Sequence, residues 1–373
     1  MSKRKRESVS LSSEQIRELI NKKAGRVVAF NLKEEDPTLI PYWIPTGSRV
    51  LDSVIARGTL AGIPGGRVSS FAGLPSAGKS FMAAKIAANA QKMGIEVCYF
   101  DSESALNMEF MEDMGVDVDN LIYLIPSDVE FVLETVDALL GTSDNKYLFI
   151  WDSLAFTPCK KEMELDFNPN ALVGLKARVM SGGMAKLVDP IRRTESAFLI
   201  LNQLKTNITQ DRYEAMTDPF VTPGGKAVKY AYSLEVWFTR KTSKAAYQYD
   251  DKERQIGAEI KAKIVKSRFG TEKRTCAFNI VWGEEIGIQD EESWWEVIKS
   301  SERVKSGAWN KIQYLDQEWS ESFRSDDFKK LLYGEKFREA VFSIMNEELI
   351  VNFQSKGHSH LDPQLGEEEF RED

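Results

Sequence analysis

The 373-residue sequence has few of the residues that build metal centres and covalent cross-links. Its three cysteines, Cys98, Cys159 and Cys276, lie far apart and include no Cys-x-x-Cys pair. That argues against a disulfide framework or a cysteine zinc site and fits a reducing compartment. The two histidines, His358 and His360, make poor evidence for a metal. No apolar run approaches the roughly 18 residues of a membrane span, and MSKRKRESVS lacks the apolar segment of a secretory signal. The expectation is a soluble cytoplasmic protein with no membrane partner. A net charge of -8 argues against a uniformly basic surface, yet leaves room for a local groove where Lys and Arg converge. No internal repeat is visible.

What is present divides into four stretches, since the length exceeds a usual single core. Residues 1–35 hold a basic tail, either solvated or a localisation signal at SKRKRE, followed by a helix and a strand. The helix, LSSEQIRELINKKAG, is capped by Ser12 or Ser13, carries Ile16, Leu19 and Ile20 on one face and ends at Gly25. RVVAFNL is the strand candidate. Such a pair cannot bury both faces alone, which predicts packing on the core or on a neighbouring subunit. Residues 36–285 alternate apolar strands (RVSSFAG, EVCYFDSE, LIYLIP, YLFIWDS, AFLILNQ) with helices, including 128–140 and 171–193. This predicts an α/β fold with a mostly parallel sheet covered on both faces. SLEVWFTRK, AEIKAKIVKSRF and CAFNIVWG read as antiparallel strands extending it. Residues 286–352 form a small α+β attachment, and 353–373 an acidic, disordered tail.

FAGLPSAGKS holds the densest chemistry. Gly73, Leu74, Pro75, Ser76, Ala77, Gly78, Lys79 and Ser80 fit the phosphate-loop pattern, in which backbone N–H groups wrap an oligophosphate. An apolar strand precedes it, and a helix beginning near Lys79 and continuing through Phe81 follows, adding its positive end. YLFIWDS ends in Asp152, suited to orienting Mg²⁺ beside Ser80. VCYFDSESALN brings Asp101 and Glu103 to another strand end, where a carboxylate could position the attacking water or cap the next helix. Gln203 ends AFLILNQ, either meeting a γ-phosphate or closing the strand as a plain polar residue.

IPTGSRVLDSVIARGTLAGIPGGRVSSFAGLPSAGKS, FDSESALN, IWDSLAFTP, LILNQLKTNI, TPGGKAVKYAYSLEVWF, IVKSRFG and SGAW occur in an order and spacing that resembles the RecA recombinases. The resemblance runs from about Ile44 to Trp309 and includes the UvsX-type phage members, so the cytoplasm implied is a bacterial cell's or a phage host's. It implies a RecA-like ATPase core using ATP and Mg²⁺, assembled as a helical filament on single-stranded DNA, pairing it with homologous duplex and exchanging strands. Loader or single-strand-binding proteins are implied partners. By motif, Glu103 is then the catalytic carboxylate, Asp152 the metal-orienting acid and Gln203 the residue reporting the γ-phosphate to DNA loops. Lys266 and Arg268, two apart on one strand face, read from periodicity as a solvent-facing pair, whereas the resemblance implies that they reach the neighbouring subunit's γ-phosphate. Phe110 falls where adenine is stacked, or in helix core. Two departures stand out: CKKEMELDFNPNALVG is longer than in the family, and Asn107 replaces a customary Asp.

Two stretches, 159–173 and 204–225, are the candidate DNA loops. Arg178, Lys205, Arg212, Lys226 and Arg240 are candidate phosphate contacts, or solvated surface charges, and Gly224 and Gly225 allow close backbone approach. The rival readings are a RecA-fold ring helicase or recombination mediator, a P-loop small-molecule kinase, and a nucleotide-gated assembly protein without turnover.

Overall fold

The computed structural model describes residues 11–104, 106–164, 174–207, 220–223, 225–241, 243, 246–282 and 286–351, the side chains of 225–227 excepted. The chain divides into two units, 1–41 and 42–373. In the first, helix α1 (Ser13–Ala24) takes Ser12 as its cap. The Ser12 hydroxyl accepts from Gln15 N at 3.3 Å, while the Gln15 side chain accepts from Ser12 N at 3.0 Å. Gly25 ends it at a left-handed φ of 67°. The strand expected in RVVAFNL does not form. Asn21 takes up that backbone instead: its Oδ1 accepts from Val28 N and Ala29 N, both at 2.8 Å, and its Nδ2 donates to Ala29 O at 3.0 Å. Polar groups met this way need no partner strand.

The second unit opens with a short antiparallel pair, β1 (Trp43–Ile44) and β2 (Ile63–Pro64), around helix α2 (Arg49–Ile55). Strands and helices then alternate: β3 (Val68–Gly73), α3 (Lys79–Lys92), β4 (Glu96–Asp101), α4 (Met108–Asp113), β5 (Leu121–Leu124) and α5 (Val129–Thr142). After them come β6 (Tyr147–Asp152), α6 (Lys160–Met163), α7 (Leu175–Arg193) and β7 (Ala197–Gln203). A small pair, β8 (Lys205–Thr206) and β9 (Phe220–Val221), precedes helix α8 (Gly225–Ala231). Next are β10 (Tyr232–Arg240), β11 (Tyr247–Tyr249), β12 (Gln255–Ser267), β13 (Thr275–Val281) and β14 (Gly287–Gln289).

The main sheet has the order β14-β13-β12-β10-β3-β7-β6-β4-β5, with β11 beside β12. The six strands from β10 to β5 are parallel. This corrects the expectation for SLEVWFTRK, which runs parallel to β3 and antiparallel only to β12. The long connection from β7, including α8, gives the chain the crossover that parallel pairing requires.

Both faces of the central strands β3, β4, β6 and β7 are buried, which is why they read as continuous apolar runs. On one face Phe71, Met82, Ile86, Tyr99 and Ile150 pack together; on the other, Phe100, Val132, Phe149, Trp151, Met184 and Phe198 do. Trp151 is fully buried, stacked 6.4 Å from Phe198, and donates from Nε1 to Thr157 Oγ1 at 2.9 Å. It anchors the strand that ends in Asp152, and truncation to Ala would cost about 3–5 kcal/mol. The chain beyond β14 adds α9 (Glu291–Ile298), β15 (Val304–Lys305), β16 (Lys311–Ile312), α10 (Phe328–Leu331) and α11 (Glu335–Leu349). These surround a separate apolar cluster centred on Phe323, Phe328, Phe337 and Ile344, which Val50 of α2 joins. Among the described residues no helix is long and apolar enough to cross a membrane.

Candidate nucleotide site

Strand register brings the chemistry to one edge. Asp101 lies beside Asp152, and Gly73 beside Gln203, so the carboxyl ends of β3, β4, β6 and β7 converge where open parallel sheets bind ligands. Between β3 and α3 the loop turns through Gly73 and Gly78. A Cβ on Gly73 would sit 2.8 Å from Phe238 O. One on Gly78 would meet Ile280 Cδ1 at 2.4 Å, at a φ of +82° that L residues rarely adopt. Leu74, Pro75 and Ser76 form the exposed crest and Ala77 is buried beneath it. Helix α3 starts after Gly78 with no side-chain cap, so its first N–H groups face the loop. Lys79 Nζ donates to Gly73 O at 3.2 Å and Leu74 O at 3.1 Å. Burial holds its pKa below the usual lysine value, with Asp152 and Glu103 opposing that shift.

Asp152 Oδ2 accepts from Ser80 Oγ at 2.7 Å and from Tyr99 OH at 3.0 Å. Burial raises its pKa, the two donors pull it back, and the nearby Glu103 and Asp101 push it up again. A carboxylate crowded by two others and set beside a serine hydroxyl is a hard-oxygen donor set suited to Mg²⁺. Among the described residues no group of three or more His, Cys, Asp or Glu could hold a metal alone, so phosphate and water oxygens would complete the shell.

The structure separates the two acids of FDSESALN. Asp101 is buried, and its carboxylate accepts from Glu103 N, Leu106 N and Tyr123 OH, each at 3.0 Å, which makes it the clasp of the turn. Glu103 is exposed, and its Oε1 accepts from Ser153 Oγ at 2.9 Å. Gln203 lies level with Gly73; the neighbouring Asn202 accepts from Gln203 N at 3.0 Å and donates to Pro223 O at 2.9 Å. Strand end and loop are thereby tied together.

A cavity of about 410 Å³ opens beside the loop, lined by Ser76 to Phe81 together with Phe110, Arg240, Ile260, Ile280 and Trp282. Phe110 meets Phe81 edge-on with ring centroids 5.0 Å apart. The sequence groups Arg240 with the DNA contacts. The structure sets it in this cavity, because β10 runs parallel to β3 and ends on the same edge. Trp282 escapes a reading of the sequence, since only the register of β13 against β12 brings it here.

Lys266 and Arg268 lie elsewhere. Lys266 faces Glu235, which faces Ser70 of β3; the three residues from Ser70 to Gly73 span about 10 Å at 3.3 Å each. Arg268 is farther still, its N bonded to Ser233 O at 2.9 Å. Both side chains cap the carboxyl end of α8: Lys266 Nζ donates to Lys229 O and Tyr230 O, and Arg268 Nη2 to Tyr230 O at 2.9 Å. Burial lowers the Lys266 pKa, as does Arg268, while Glu235 and Glu272 oppose it.

Of the proposed DNA contacts, Arg178 and Lys205 are exposed on α7 and β8. Arg212 and Gly224 lie outside the described residues; Gly225 and Lys226 open α8. Lys176, two residues before Arg178 on α7, lies near Lys205 of this group. It donates to Ala155 O at 3.4 Å, and Lys205 lies near enough to help lower its pKa, which burial depresses first. A lysine at the start of a long amphipathic helix carries no sequence signal that would single it out.

The strand, the glycine turn, the uncapped helix start and the Ser80–Asp152 bond together define a P-loop nucleotide-binding α/β protein. The family model for the RecA N-terminal domain matches residues 12–287. Protein RecA of Heliobacterium modesticaldum is 33% identical over 291 residues, covering 78% of this chain and 80% of that protein. Protein RecA of Symbiobacterium thermophilum is 32% identical over 295 residues, 78% and 79% of the two chains, and that of Sulfurovum sp. 32% over 311 residues, 83% and 84%. The chain belongs to the RecA family of recombinases, and its core is the RecA fold.

Proposed function

We propose that this protein is an ATP-dependent homologous recombinase. It forms a helical filament on single-stranded DNA and promotes pairing and strand exchange with duplex, hydrolysing ATP between subunits under DNA stimulation. The observation that carries this reading is the position of Lys266 and Arg268. They sit toward the amino edge of the sheet whose carboxyl edge bears the phosphate loop, so they can serve a γ-phosphate only in a neighbouring subunit.

In this reading Lys79 exchanges the Gly73 and Leu74 carbonyls for the β- and γ-phosphates, while Phe110, Trp282 and Arg240 line the base end. Ser80 and Asp152 hold Mg²⁺, which neutralises phosphate charge when bound. Glu103 accepts a proton from the water whose oxygen bonds to the γ-phosphorus as the bond to the ADP oxygen breaks. Gln203, level with Gly73, reports the γ-phosphate to the stretch that follows it. Arg178, Lys205 and the nearby Lys176 face DNA phosphates together with Arg212 and the Gly224, Gly225, Lys226 segment. Residues 1–35 serve assembly, the chain beyond β14 forms a small C-terminal domain, and loader or single-strand-binding proteins act as partners in a bacterial cytoplasm.

ATPase measured with and without single-stranded DNA, with the products viewed by electron microscopy, tests the reading. DNA-stimulated turnover on helical filaments is expected. Closed rings, or turnover indifferent to DNA, would overturn it.

A further inference from the structure

Glu103 is exposed and hangs on three rotatable bonds, close enough to Lys79 for the two charges to act on each other. Left free, the carboxylate would be drawn to the ammonium and away from water. Among the described residues one side-chain bond holds it: Ser153 Oγ, fully buried, donates to Glu103 Oε1 at 2.9 Å. That leaves Oε2 open to accept from water.

The pedestal beneath this hydroxyl is rigid. Ser153 O accepts from Thr157 Oγ1 at 3.0 Å and Phe156 N at 3.2 Å, and Thr157 is itself held by Trp151. Asp152 O accepts from Ser102 N at 2.7 Å, and Leu154 N donates to Leu201 O at 3.2 Å, so three strands pin the turn. Consecutive residues thus hold the two polar groups of the site: Asp152 binds Ser80, and Ser153 binds Glu103. A donor that fixes a reacting group's orientation matters only if its own support is fixed.

We propose that Ser153 is a positioning residue for hydrolysis, aiming the Glu103 carboxylate at the attacking water and keeping it off Lys79. This rests on the reading of Glu103 as the carboxylate that takes the water's proton. With DNA present, Ser153→Ala should lower kcat about 10- to 100-fold, the usual span for loss of an orienting hydrogen bond, and leave KM for ATP nearly unchanged. Ser153→Thr, which keeps the hydroxyl, should recover most of the rate. In a Glu103→Gln background, Ser153→Ala should cost nothing more in single-turnover hydrolysis, because a residue acting through another is non-additive with it.

A kcat for Ser153→Ala at the parent level, or an undiminished loss in the Glu103→Gln background, would overturn the proposal. Should Ser153→Ala fail to bind a fluorescent ATP analogue, Ser153→Cys, similar in volume but a weak donor, is read the same way. Glu103→Gln alone separates the two failures. If it hydrolyses ATP like the parent, the role of Glu103 falls; if it is inactive while Ser153→Ala turns over at the parent rate, only the role of Ser153 does.

Discussion

Replacing Lys266 and Arg268 together with Ala removes three donations to the end of α8 and nothing from the phosphate loop. The two effects differ widely in size. Each cation at a helix carboxyl end contributes about 0.3–1 kcal/mol, so the fold should weaken by no more than about 2 kcal/mol. A cation supplied to a γ-phosphate in trans contributes about 10³–10⁵ in rate, or about 4–7 kcal/mol of transition-state stabilisation. The double variant should therefore bind ATP and DNA, assemble, and lose DNA-stimulated hydrolysis. Phosphate release measured on mixed filaments separates the trans role from simple uncapping of α8. Mixed with Glu103→Gln, only an interface pairing an intact Glu103 with intact cations from its neighbour is complete, about one quarter of head-to-tail contacts at equal amounts. Activity should reappear near that fraction of the parent's. No recovery in filaments shown to contain both variants would mean that the cations act within their own subunit or only on DNA.

Lys79→Ala should weaken ATP binding, whereas Glu103→Gln should keep binding and stop turnover; equilibrium titration beside a turnover assay tells them apart. Gln203→Ala should bind ATP normally and lose the nucleotide-dependent rise in DNA affinity, read by anisotropy with and without a non-hydrolysable analogue; equal tightening in variant and parent would remove Gln203 from the coupling. Asp52 is a buried residue of α2, its carboxyl pushed up to about 8 from 3.8 chiefly by burial, against the Thr46 donors, with Asp290 nearby and likewise raised by burial. Between those values the native state holds a proton the unfolded chain has lost, so this group's contribution to stability falls as pH rises from about 4 to 8. Asp52→Asn should flatten that fall in urea titrations at pH 5 and pH 8, and an unchanged slope would mean that Asp52 is ionised in the fold.

The phosphate loop is legible in the sequence because its chemistry is contiguous: eight residues supply the turn, the cation and the hydroxyl. The central parallel strands are legible because burial on both faces leaves unbroken apolar runs. Strand direction is not, since an apolar run reads the same either way, and β10 reads as antiparallel until its neighbours are known. RVVAFNL has strand composition, yet a strand needs a partner ladder, and Asn21 offers its amides a nearer one. The bond from Ser153 to Glu103 joins residues 50 apart, and Arg240 enters the cavity only through sheet register. Interactions of that kind depend on tertiary placement and leave no periodicity behind.

The same register decides where the two cations can act. Within one subunit, β3 separates the level of Lys266 from the phosphate loop, and the side chains of Lys266 and Arg268 turn to the end of α8. No rotamer change brings them to their own loop across that span. If they serve a phosphate, each subunit must offer one edge of its sheet to the opposite edge of the next, a heterologous contact that repeats until it closes or runs on as a helix. Hydrolysis then requires a neighbour by geometry alone. A chain that bound ATP as an isolated subunit would hold it nearly intact, and turnover would report assembly.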